Sequence, residues 1–201
     1  MEFISFMEIL GTVAFAVTGA ITAIEKDLDY YGICFLALIT AVGGGILRDL
    51  IIDRDIPVSI DHPIYIIISL VTALVVILFY KHIVKMKDFI ICCDALGLAA
   101  FTAIGGVAAV QSGHEGLCVI ITLALLTGTG GGIIRDICAA KVPIVFEKEI
   151  YAVASIIGAL VYAASIAYVD NRVAMYISFA ATFIIRMVSV KMDIHLGKVS
   201  K

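Results

Sequence analysis

Charge is what this sequence has least of. Asp, Glu, Lys and Arg make up 15% of its 201 residues, while 62% are hydrophobic, against roughly 25% and 45–50% in a soluble domain. A mean hydropathy of +1.12 over that length exceeds what one buried core helix supplies, so most of the chain belongs in lipid. The net charge of -3 says little about partners, because in a membrane chain the placement of charge matters more than its sum. No nucleic-acid partner is expected.

Other absences narrow the function. The five cysteines (Cys34, Cys92, Cys93, Cys118 and Cys138) lack the C-x-x-C spacing of a zinc or redox site and read as small apolar residues in helices. His62, His82, His114 and His195 are scattered, without ligand spacing; neither a metal nor a cofactor is expected. No nucleophile–base set is visible and no stretch is left for a soluble domain, which argues against an enzyme. No basic segment precedes the first apolar run, which opens with Glu2 and Glu8, so that run is expected to stay as a helix rather than be cleaved as a signal peptide.

Seven apolar runs are present, at about 3–24, 30–47, 63–81, 89–110, 117–134, 149–169 and 173–190. Each approaches the 17–25 residues that a transmembrane helix takes. Alternating sides along these runs puts Lys26, Lys81, Lys85, Lys87, Arg135, Lys141, Lys148, Lys191, Lys198 and Lys201 together, with only Arg48, Arg54 and Arg172 opposite. The excess of Lys and Arg marks the cytoplasmic side. The expected protein is multi-pass, with its N-terminus outside and its C-terminus cytoplasmic. Lys81, Lys85 and Lys87 form a basic loop that sets topology or meets anionic membrane lipid.

Sliding the chain against itself exposes a duplication. At a shift of 86, Glu8 meets Asp94, Gly11 meets Gly97, Phe15 meets Phe101 and Gly19 meets Gly105. At 87, Gly43-Gly44-Gly45-Ile46-Leu47-Arg48-Asp49 meets Gly130-Gly131-Gly132-Ile133-Ile134-Arg135-Asp136. At 86 again, Pro57 meets Pro143 and Tyr65 meets Tyr151. Composition alone would match apolar positions, but not acids, Arg-Asp, Pro and glycines in order. Each unit holds three runs, an odd number, so the second copy enters the membrane from the opposite face. The expected fold is an all-α membrane protein of seven transmembrane helices: an inverted pair of three-helix repeats, 3–86 and 87–170, then a seventh helix and cytoplasmic tail, 171–201.

The duplicated motif carries the functional reading. Consecutive glycines each cost a helix about 1 kcal/mol relative to Ala. Two gains offset that: close backbone packing, or a bend that frees carbonyls toward a cavity. Recurrence of Gly43, Gly44, Gly45 and of Gly130, Gly131, Gly132, each followed by Arg-Asp, favours a pore-lining bend. Glu8, Arg48 and Asp49 should gather at the outer mouth, and Asp94, Arg135 and Asp136 at the inner one. In this reading Glu8 pairs with Arg48 and Asp94 with Arg135, since ionisable groups within spans usually face the bundle interior; the alternative is that they snorkel to headgroups. Arg186 in the last run either snorkels or faces a central cavity. Tyr65 and Tyr151 read as interfacial anchors.

Two three-run units bearing Gly-Gly-Gly-x-x-Arg-Asp, with an acid and a Gly in each first run and a lone seventh run, resemble the prokaryotic trimeric intracellular cation channel (TRIC) family. Its repeat is also described as a glycine-transporter domain. The resemblance spans residues 3–190. It implies a homotrimer with one pore per protomer, lined by the second and fifth helices kinked at Gly43–Gly45 and Gly130–Gly132, and passing monovalent cations, mainly potassium. It equally implies an alternative, transport of a small amino acid such as glycine. No selectivity-filter sequence of the potassium-channel kind is present, so any cation selectivity should be modest.

Overall fold

The computed structural model describes residues 2–147 and 150–194, with side chains from Phe6 onward except that of Lys87. Lys148, His195, Lys198 and Lys201, used in the sequence reading, lie outside the described residues, as does the tail beyond 194. The described residues form helices and no strands. In chain order these are α1 (Glu2–Glu25), α2 (Tyr30–Ile51), α3 (Val58–Asp61), α4 (Ile64–Ile83), α5 (Lys87–Gln111), α6 (Leu117–Cys138), α7 (Ile144–Glu147), α8 (Ile150–Ser165) and α9 (Asn171–Lys191). Six of them, α1, α2, α4, α5, α6 and α9, are long and apolar enough to cross a membrane.

Three boundaries differ from the sequence reading. The second and fifth runs are expected to stop at 47 and 134, but their helices continue a further turn to Ile51 and Cys138. Arg-Asp therefore lies inside each helix, because the two charges satisfy one another there. The sixth run, expected over 149–169, gives α8 of 16 residues, about 24 Å at 1.5 Å per residue. It stops where the Tyr168 and Val169 N–H groups both donate to Ser165 O at 2.9 and 3.0 Å, closing a turn before Asp170 caps α9. The third difference is a pair of short helices, α3 and α7, that begin just after Pro57 and Pro143.

The slip in repeat register between 86 and 87 falls entirely in loops. Helices α1 and α5 end on left-handed residues at equivalent places, Asp27 (φ 55°) and Gly113 (φ 81°), and so do α2 and α6, at Asp53 (φ 56°) and Ala140 (φ 50°). Each end is closed by a six-residue return bond of the Schellman type: Leu28 N–H to Ala23 O, His114 to Ala109, Arg54 to Asp49, and Lys141 to Asp136. The second copy has one residue more between Gly113 and Gly116, which opens α6, and one fewer before Pro143. The helices stay aligned while the connections absorb the change.

Lipid tails are as apolar as leucine, so helices in a membrane associate through close packing and internal hydrogen bonds. Helices α1 and α5 sit at the centre, each against its own second helix and against the other, and α2 packs on α6. Contacts of Gly11 with Phe101 and of Gly97 with Phe15 show that α1 and α5 run in opposite directions. Buried hydroxyls are satisfied locally: Thr40 and Ser69 donate to the carbonyls of Leu36 and Tyr65, four residues back, at 2.6 and 2.7 Å. Helix α9 packs on α8 and α5, where Ser178 Oγ donates to Gly158 O at 2.8 Å. On α4, Ile67, Val71, Leu74 and Leu78 stay exposed, an apolar face suited to lipid.

Candidate functional site: two repeated clusters and their cavities

The glycine triplets lie where α2 and α6 cross, and both helices run uninterrupted through them. A Cβ built on Gly44 would stand 2.3 Å from the Thr127 carbonyl oxygen, and one on Gly131 would stand 2.2 Å from that of Thr40. Backbone faces backbone at both points, so only glycine fits. The third glycine of each triplet is different: around Gly45 and Gly132 the nearest atoms to such a Cβ are 3.9 and 3.5 Å away. Gly43 and Gly130 fall between these cases, against Ile134 at 2.8 Å and against the Gly44 Cα at 3.2 Å.

One turn further on, each Arg-Asp pair builds a clamp. Arg48 Nε donates to Asp49 Oδ1 at 2.8 Å, and the Val58 N–H donates to Asp49 Oδ2 at 2.8 Å. In the second unit Arg135 Nε donates to Asp136 Oδ1 at 2.8 Å, and the Ile144 N–H to Asp136 Oδ2 at 3.0 Å. Each aspartate thus fixes its neighbouring guanidinium and caps the short helix that leads into the unit's third helix. All four side chains are buried, with residue exposures of 1–4%. Snorkelling is therefore not how these charges are accommodated; burial of a charge requires pairing of this kind.

The acids diverge. Asp94 Oδ1 accepts from Arg135 Nη1 at 3.0 Å, and the same nitrogen donates to Thr18 Oγ1 at 3.0 Å. Glu8, in the equivalent place, accepts instead from the Tyr65 hydroxyl, which corrects the expected Glu8–Arg48 pair. Tyr65 and Tyr151 are 7% and 2% exposed, so neither is an interfacial anchor. Arg186 is 5% exposed; its guanidinium lies 4.9 Å from the centre of the Tyr151 ring, a cation–π contact.

Each cluster floors a cavity. The first, of about 560 Å³, takes Glu8, Arg48, Asp49 and Tyr65 together with Ile104 and Gln111 from the end of α5. A narrow extension below it reaches Thr12, Gly45 and Phe101. The second, of about 540 Å³, takes Asp94, Arg135, Asp136 and Arg186 together with Thr18 and Glu25 from α1. At its rim Lys141 Nζ donates to Glu25 Oε2 at 3.1 Å. Glu8, Arg48, Asp49, Asp94, Arg135, Asp136 and Arg186, the charged site residues of the sequence reading, therefore each line one of the two cavities, while Gly44 and Gly131 lie between them. The sequence reading missed Thr18 and the role of the two tyrosines, although the match of Tyr65 to Tyr151 within the repeat was a signal for the latter. Among the described residues no His, Cys, Asp and Glu cluster has metal-binding geometry.

Known proteins share this architecture. The glycine transporter family model matches residues 5–81 and again 91–167. The UPF0126 membrane protein YvgT of Bacillus subtilis is 38% identical over 184 residues, covering 91% of this chain and 90% of its own. The UPF0126 inner membrane protein YadS of Escherichia coli K12 is 32% identical over 196 residues, covering 95% and 93%. Among solved structures, one described as the structural basis for conductance through TRIC cation channels superimposes with a TM-score of 0.92 at 30% identity, over 98% of this chain and 97% of that one. The TRIC trimeric intracellular cation channel orthologue from Rhodobacter sphaeroides gives 0.91 at 30% identity, over 96% and 100%. These matches and the apolar helices point to a multi-pass inner-membrane protein rather than an enzyme. With the repeat matched twice and the whole fold shared, this chain belongs to the prokaryotic TRIC family, whose repeated unit the glycine transporter model describes.

Proposed function

We propose that the protein is a cation channel of the inner membrane that passes monovalent cations, potassium foremost, through one path in each protomer of a homotrimer. The carrying observation is the pair of cavities at opposite ends of the bundle, each floored by one repeat's acid and Arg-Asp clamp. Solute sites at the interface of inverted repeats are a recurring transport architecture, and ionisable groups inside a membrane mark such routes. Likeness to TRIC cation channels over nearly the whole chain supports the same reading.

In this reading residues 3–86 and 87–170 are inverted units and 171–201 add the seventh helix and tail. The opposite directions of α1 and α5 support the inversion. The N-terminus faces outward, so Glu8, Arg48 and Asp49 stand at the outer mouth and Asp94, Arg135, Asp136 and Arg186 at the inner one. Helices α2 and α6 line the path and bend at their glycines on opening. Membrane lipids cover the apolar face of α4.

A second reading, transport of a small amino acid, is favoured by one observation. Asp94 Oδ2, the Tyr151 hydroxyl and Arg186 Nε are buried without hydrogen-bond partners, and Asp94 and Arg186 share one cavity. A carboxylate beside free donors matches an ammonium and a carboxylate on one solute. Potassium efflux from proteoliposomes, measured beside uptake of labelled glycine, separates the two readings. Efflux without saturable uptake is expected; saturable uptake without efflux would replace the channel by the transporter.

A further inference from the structure

The cavity-facing stripe on each central helix passes through a phenylalanine. On α1, Glu8 and Thr12 line the first cavity or its extension, and Thr18, Ile21 and Glu25 line the second. With Phe15 in the step between Thr12 and Thr18, successive positions are three or four residues apart, so the stripe winds around the helix from the first cavity to the second. On α5, Asp94 lines the second cavity and Phe101 the extension of the first, with Gly97 in the step between them.

Each ring fills a glycine notch on the other helix. A Cβ on Gly97 would stand 2.2 Å from the Phe15 ring, and one on Gly11 would stand 3.0 Å from the Phe101 ring. The ring centroids are 5.4 Å apart with planes tilted by 32°, and the residues are 1% and 6% exposed. Phe15 also reaches the second glycine triplet, 3.3 Å from a Cβ on Gly131. Its ring is therefore wedged between the glycine notches of α5 and α6. Thr12 and Thr18, lining the extension of the first cavity and the second cavity, are separated by a rise of about 9 Å along α1.

From this geometry we infer that Phe15, backed by Phe101, is the plug that separates the two cavities and limits flux through the protomer. The inference rests on the path proposed above. A ring in a glycine notch closes the route sterically and keeps it dry, which is how hydrophobic constrictions gate. Since both rings are held by repeat-related glycines, the plug lies on the molecule's pseudo-symmetry, with neither cavity owning it.

The test compares potassium efflux from proteoliposomes carrying the wild type, Phe15→Ala or Phe101→Ala. A second readout uses Thr22→Cys, at a half-buried position lining the second cavity, in a background with the five native cysteines replaced, and a small impermeant cationic thiosulfonate applied to one face or the other. Phe15→Ala is expected to raise efflux about tenfold or more and to make the introduced thiol reactive from both faces instead of one. Phe101→Ala should give a smaller rise in the same direction. If Phe15→Ala does not fold, Phe15→Leu serves in its place, with a rise smaller than that expected of the alanine. Unchanged efflux with one-sided labelling in a folded variant overturns the plug. Should no variant pass potassium, the channel reading fails while labelling of the introduced thiol still decides the plug: two-sided supports it and one-sided rejects it.

Discussion

Glu8 and Asp94 occupy equivalent places in the two units, beside equivalent arginines and equivalent tyrosines, yet they choose different partners. Glu8 takes the Tyr65 hydroxyl and leaves Arg48 to Asp49 alone. Asp94 takes Arg135 and leaves Tyr151 without a hydrogen bond. Around this divergence the skeleton is unchanged: the glycine crossing, the Arg-Asp clamp and the capped short helix recur at nearly the same distances. Duplication has kept what builds the helices and varied the partners of the cavity-lining acids. Helix α9 increases the contrast, because it packs on the second unit and brings Arg186 to that cavity alone.

Substitutions at the shared glycine crossing should hit both units equally and hardest. Gly44→Leu and Gly131→Leu are each expected to abolish folded protein, measured by size exclusion in detergent, because the facing carbonyls cannot move aside. Gly45→Ala and Gly132→Ala should be neutral or slightly stabilising, by up to about 1 kcal/mol in thermal unfolding. Equal damage at all three positions of a triplet would mean that the close approach at Gly44 and Gly131 is not what requires the glycines. Next come the clamps: Asp49→Ala should cost about 3–5 kcal/mol, since it leaves the buried Arg48 guanidinium without its ion-pair partner. Asp136→Ala should cost less, because Arg135 keeps Asp94, and equal losses at the two would show that Asp94 does not support Arg135.

The divergent positions should separate the units. Asp94→Asn removes a charge-assisted bond to Arg135 and is expected to cost about 2 kcal/mol, while Glu8→Gln should cost about 1 kcal/mol or less. The smallest effects are at the phenols. Tyr65→Phe should cost about 1 kcal/mol, and Tyr151→Phe should be close to neutral because its hydroxyl has no hydrogen-bond partner to lose. Matched losses at Tyr65 and Tyr151 would show that the two clusters work alike after all.

Much of this was legible in the sequence, in particular places. The duplication was plain, and with it the pairing of Asp94 to Arg135, because acids, Arg-Asp and glycines recurred in order. The depth of the Arg-Asp pairs was not legible: hydropathy ends a span at the first charge and cannot see that two adjacent charges satisfy each other inside a helix. The same blindness hid α3 and α7, whose caps come from aspartates nine and eight residues earlier. Glu8 accepts from Tyr65 rather than pairing with Arg48, a choice between two nearby donors that residue types alone do not settle. The sixth run read too long since residues 166–169 are mostly apolar, although their backbone turns.

The central claim, that the two cavities belong to one cation path, is tested most directly by recording purified protein in a planar bilayer in potassium chloride. Unitary potassium currents are expected, with an amplitude reduced when Glu8→Gln and Asp94→Asn together remove one negative charge from each end. Absence of current from folded protein that takes up labelled glycine saturably would contradict it.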